Sequence, residues 1–112
     1  MPTREEISAF MMKMPELFLP EKAAGLDTVL QLSLSGDNGG TWWLKIADGK
    51  CEVHEGEAPE PQMTLLSTAD DLYAVLTGEA NAMTSFMQGK IKVQGDMALA
   101  LKMQTMFDFS GA

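Results

Sequence analysis

The sequence is poor in the groups that catalysis, cross-linking or nucleic-acid binding would need. Cys51 is the single cysteine in 112 residues, which excludes an internal disulfide and a cysteine-based zinc site. His54 is the single histidine, and no Gly-x-Ser-x-Gly nucleophile elbow is present. The one glycine-rich run, Gly36-Asp37-Asn38-Gly39-Gly40, lacks both the Walker lysine and the dinucleotide glycine spacing and reads as a turn. Basic residues are scarce, eight against sixteen acids, for a net charge of -8. A nucleic-acid partner needs clustered Lys and Arg to replace phosphate counterions, so that class is excluded. The same balance argues against tight docking on an anionic membrane and leaves only transient, mainly hydrophobic contact. No apolar run is long enough to span a bilayer. The start, Met1-Pro2-Thr3-Arg4-Glu5-Glu6, has no apolar core of a secretory signal. The expectation is one soluble, cytoplasmic domain over residues 1–112, with no metal and no cofactor.

What the chain has in excess is methionine, ten residues in all. Methionine is unbranched, flexible and polarizable, so it either fills gaps in a core or adapts to ligands of varied shape. Composition alone leaves both readings open.

Periodicity resolves the elements. Thr3 with Glu6 three residues on is a capping-box pattern, and Ile7, Phe10, Met11, Met14, Leu17 and Phe18 form one apolar stripe. Pro15 predicts a kink or break near Met14. Pro20 to Gly25 reads as a short helical turn. From Thr28 the period becomes two, with Leu30, Leu32 and Leu34 on one face of a strand. Asp48-Gly49 between two alternating runs is a two-residue hairpin turn, since both central positions need positive φ. That turn sets a register in which Ile46 faces Cys51 and Leu44 faces Val53 on the core side. Lys45 then meets Glu52, and Trp43 meets His54, on the other face.

Met63 to Ser67 forms a fourth strand, followed by a capped helix with Asp70 and Asp71 in its first turn and Leu72, Val75 and Leu76 buried. A short helix from about Asn81 presents Met83, Phe86 and Met87 on one side. Ile91 and Val93 alternate with lysines as a fifth strand, and Asp96 caps a final helix. That helix carries Met97, Leu99, Leu101, Met103, Met106 and, at its end, Phe107 around much more than one face, so protein, partner or ligand must enclose it. The order predicts an α+β fold, a five-stranded and mostly antiparallel sheet with its helices on one face.

In this register His54 faces outward beside Trp43, and Cys51 has no basic neighbour on the core face, so neither supplies a nucleophile or a base. The expectation is a non-enzyme. The methionines concentrate in the helices that cover the sheet, opposite a wall of Leu34, Leu44 and Ile46. Met83, Phe86, Met87, Val93, Leu101, Met103, Met106 and Phe107 are then the candidate lining of a pocket of adjustable volume. The rival reading is a protein–protein interaction module, a homodimer or a partner-docking surface built on the apolar last helix.

Three stretches carry a family resemblance. Trp43-Leu44-Lys45-Ile46-Ala47-Asp48-Gly49-Lys50-Cys51 resembles the central hairpin of sterol carrier protein domains, also called nonspecific lipid-transfer domains. Met63 to Ser67 with Asp71-Leu72 and Gly78 resembles the strand and capped helix that follow. Phe86-Met87-Gln88-Gly89-Lys90-Ile91-Lys92-Val93-Gln94-Gly95-Asp96, leading to Leu99-Ala100-Leu101-Lys102, is similar to the family's F-x-x-G-K-(I/L)-K-(I/V)-x-G-(D/N) signature. The resemblance implies an apolar tunnel between sheet and helices for fatty acids, acyl-CoA thioesters, sterols or phospholipids. The ending Phe109-Ser110-Gly111-Ala112 lacks a peroxisomal Ser-Lys-Leu type signal, which points to a cytoplasmic, prokaryotic, stand-alone relative.

Overall fold

The computed structural model describes residues 2–108; the ending at 109–112 lies outside the described residues. The first helix, α1 (Arg4–Leu17), begins at the expected capping box: Thr3 accepts from the Glu6 N–H at 3.1 Å while the Thr3 N–H donates to the Glu6 carboxylate at 3.2 Å. Pro15 does not break it. The helix runs through to Leu17, because a proline in the last turn forfeits only one ladder hydrogen bond, while the flanking Met14 and Phe18 are held by burial. A short 3-10 turn (Pro20–Ala23) then leads to the sheet.

Strands β1 (Thr28–Ser35), β2 (Gly40–Ala47), β3 (Lys50–Glu55), β4 (Met63–Thr68) and β5 (Ile91–Gly95) stand in the order β3-β2-β1-β4-β5. All neighbours are antiparallel except β1 and β4, which are parallel and therefore need a crossover. The hairpin register read from Asp48-Gly49 holds in full: Ile46 pairs with Cys51, Leu44 with Val53, Lys45 with Glu52 and Trp43 with His54. Both turn residues have positive φ, +53° at Asp48 and +71° at Gly49, as that turn demands.

The other three helices are α2 (Ala69–Leu76), α3 (Ala82–Met87) and α4 (Met97–Met106), capped by Thr68, Asn81 and Asp96 side chains that accept from the third residue on. Gly95, just before α4, is fixed by space as well as by its φ of +94°. A Cβ there would stand 2.5 Å from the Gln62 carbonyl oxygen, whose bond from the Asp96 N–H sets where α4 starts.

All helices cover one face of the sheet, but they divide it. α1 packs against β3, while α2, α3 and α4 pack against β1, β4 and β5. The ends of α1 and α4 are tied together. Phe18 and Phe107 form an isolated antiparallel bridge with rings 5.6 Å apart, and the Leu19 N–H donates to Met106 while the Asp108 N–H donates to Leu17.

Candidate functional site

The alternation of each strand decides which residues reach the helices. On β4 and β5 these are Met63, Leu65 and Ser67 paired with Gly95, Val93 and Ile91. Above them, α2, α3 and α4 are short and do not close over the sheet, leaving a cavity of about 330 Å³. That size lies at the lower end of the range for small-molecule sites, roughly 300–1,000 Å³. Leu65, Ile91 and Val93 form its floor. Leu72, Val75 and Leu76 of α2, Ala82, Met83 and Phe86 of α3, and Met97, Ala100, Leu101 and Met103 of α4 form its walls. All thirteen lining residues are apolar. The cavity is partly open to solvent, and Met83, Phe86, Met97 and Leu101 are exposed at its rim.

Of the residues singled out from the sequence, Met83, Phe86, Val93, Leu101 and Met103 come together around this cavity. Six do not. Leu34, Leu44 and Ile46 are buried in the core on the central strands β1 and β2, away from the cavity floor on β4 and β5. The expected wall therefore does not line this cavity: alternation shows which face a side chain takes, and strand order, set by the parallel crossover, decides what stands above it. Met106 and Phe107 pack into the core beside Phe18. Met87 is 78% exposed and turned away from the cavity that Met83 and Phe86 line. Sequence reasoning passed over Leu65, Leu72, Val75, Leu76, Ala82, Ile91, Met97 and Ala100 as lining. Small Ala82 and Ala100 on helices otherwise rich in large side chains were the available signal for empty space.

The polar inventory adds no chemistry to the site. His54 stacks on Trp43 with ring centroids 4.4 Å apart, on the sheet face opposite the helices. The Cys51 thiol is pushed up to about 12, first by burial and then by the adjacent Glu52 charge, which keeps it protonated and unreactive near neutral pH. Among the described residues no group of three or more His, Cys, Asp or Glu is placed to hold a metal. No helix among them is long and apolar enough to cross a membrane.

Comparison with known proteins agrees with this geometry. The SCP-2 sterol transfer family matches residues 9–108. The chain is 34% identical over 85 residues to hydroxysteroid dehydrogenase-like protein 2 of Mus musculus, covering 75% of this chain and 17% of that protein. It is 35% identical over 71 residues to sterol carrier protein 2 of Bos taurus, covering 63% of this chain and 13% of that protein. The chain thus spans under a fifth of the length of these relatives, whose remaining length holds other domains. Among solved structures, palmitated SCP2L2 from Aedes aegypti shares the fold with a TM-score of 0.75 at 22% identity, covering 91% of each chain.

Proposed function

The chain belongs to the SCP-2 sterol transfer family, and on that premise we propose that it is a lipid carrier. Its cavity between β4, β5 and the three later helices takes the apolar part of a fatty acid, acyl-CoA thioester, sterol or phospholipid without reacting with it. One observation carries the reading: a cavity of about 330 Å³ whose lining is apolar throughout. Such a surface has nothing to offer a charged or hydrogen-bonding substrate, and it gains free energy only from ligands that bring carbon out of water.

Area burial sets the scale. Each methylene taken from water contributes about 0.8 kcal/mol, so a long acyl chain gains roughly 10 kcal/mol gross. Association costs of about 4 kcal/mol or more leave dissociation constants on the order of tens of micromolar. One methylene changes binding by only about 1 kcal/mol, so the carrier discriminates weakly among chain lengths. Met83 of α3 with Met97 and Met103 of α4 adapt the shape of the cavity at little cost. The palmitate on the mosquito protein makes a saturated fatty acid the first ligand to try.

The rival reading of α4 as a partner-docking helix loses its motive. Leu99, Met103 and Met106 turn into the chain's own core, and the apolar residues left over, Met97 and Leu101, belong to the cavity rim.

The test is native mass spectrometry of the purified protein before and after delipidation, followed by titration with an environment-sensitive fluorescent fatty acid. Neither tryptophan lines the cavity, so the signal is read from the ligand. A lipid adduct that delipidation removes, with saturable uptake afterwards, is expected. Absence of both means the carrier reading is wrong.

A further inference from the structure

We infer that the cavity is a blind pocket that buries one flexible hydrocarbon chain of about eleven carbons and excludes a whole sterol or a second acyl chain, a narrowing that rests on the carrier reading above. Its lining divides by exposure. Met83, Phe86, Met97 and Leu101 are 38% to 51% exposed and mark a mouth between α3 and α4. Leu72, Leu76 and Met103, each at 6% or less, are shared with the packed core and form the inner end. The groove on the other side of α2, where Phe10 and Lys13 of α1 meet Tyr73 and Thr77, shares no lining residue with the cavity. α2 therefore closes that side. Among the described residues, a chain that enters between α3 and α4 meets a wall and not a second opening.

Volume then sets length. A chain carbon with its hydrogens occupies about as much space as a water molecule in the liquid, roughly 30 Å³. A cavity of about 330 Å³ accordingly holds about eleven of them. A sterol of about twenty-seven carbons needs about twice the cavity or more, and two acyl chains need more still. A single long chain binds all the same, because it bends at each bond and leaves its surplus carbons outside the mouth. A fused ring system does not bend, so the part that does not fit holds the rest out of the pocket. The methionines do not lift this limit. Rotating Met83, Met97 or Met103 moves empty space about without creating any, since the core behind them is close-packed. The apolar lining offers a head group no partner, which puts the methyl end innermost and the head at the mouth. Affinity climbs while carbons are entering the pocket and levels off once it is full.

The experiment displaces an environment-sensitive fluorescent fatty acid from the delipidated full chain. The competitors are saturated fatty acids of about eight to about eighteen carbons, kept below their micelle concentrations, and a soluble sterol sulfate. Affinity should rise about fourfold per carbon up to about twelve carbons, the carboxyl carbon lying outside, and stay within about twofold for longer acids. The sterol sulfate should bind at least about tenfold more weakly than the twelve-carbon acid. Ala100→Leu adds about three carbons to the lining and should bring the break about three carbons earlier. Met103→Ala removes about three heavy atoms and should delay the break by as much. The unaltered chain and Ala100→Leu decide the matter even if Met103→Ala does not fold. Affinity that keeps climbing to the longest acid overturns the blind pocket and leaves the carrier reading intact. So does a sterol bound as tightly as the twelve-carbon acid, or a break that Ala100→Leu leaves in place. If no acid of any length competes, the carrier reading falls and the length limit falls with it.

Discussion

One sheet carries two unlike halves. Against β3 packs α1, fourteen residues long, whose Ile7, Met11 and Met14 share a core with Trp42, Leu44 and Ile46 of β2 and leave none of them exposed. Over β4 and β5 lie helices of eight, six and ten residues, and between them a cavity of about 330 Å³ remains. The strands alternate in the same way on both sides, and methionine serves both. The difference comes from helix length and from where small residues stand. A long helix with a continuous apolar stripe covers its strands, whereas three short helices with Ala82 and Ala100 turned inward cannot. A closed core maximises contact with protein atoms; the open half keeps apolar surface for a ligand to cover.

The largest effect should come from emptying the closed half. Leu44→Ala removes a fully buried side chain and should cost about 2–5 kcal/mol in denaturant unfolding. Fatty-acid affinity should stay within about twofold, since the site is not on the cavity; a large loss of affinity without loss of stability would erase the distinction between the halves. A paired substitution sharpens it next. Met14→Ala, in the closed half, should cost about 2–5 kcal/mol, while Met103→Ala, against the cavity, should cost at least about 1 kcal/mol less because space already adjoins it. Equal costs would mean that the second half is packed as well as the first.

Filling the open half should do the opposite of emptying the closed one. Ala100→Phe should lower fatty-acid uptake by about tenfold or more while the melting temperature holds or rises, because the ring occupies existing volume. The smallest effect concerns Cys51, at the edge of the closed half. Its pKa is raised from the ordinary 9.0 to about 12, so the folded state keeps the proton after the unfolded chain has lost it. The stabilising contribution is complete below pH 9 and is lost as pH climbs toward 12, whereas Cys51→Ser should flatten that slope in pH-dependent melts. Alkylation of the native thiol should likewise be slow at pH 8.

The two halves also differ in how much of them could be read in the chain. The hairpin of β2 and β3 was legible to the residue, because Asp48-Gly49 admits one tight turn and a one-residue slip would expose Leu44 and Ile46. The caps at Thr3 and Asp96 were legible because their side chains act on backbone only three residues away. The break allowed for at Pro15 did not occur, since a propensity that breaks a helix interior has little force in the last turn. Leu34, Leu44 and Ile46 stand in the buried core and do not line the cavity. Their face could be read and their cover could not, because nothing in a strand's own alternation tells which helix will stand above it. Met87 shares a helix with Met83 and Phe86, yet its side chain falls outside the cavity that they line.

The amino-acid sequence by itself determined the elements, most of their caps, the hairpin register and the buried face of each strand. All of these depend on interactions between residues a few positions apart, or on inventory alone. Only the tertiary structure decided that β4 stands between β1 and β5, and so which half of the sheet α1 closes and which half stays open. That choice is made by packing among residues far apart in the chain, where the volume left between helices is a property of no single segment.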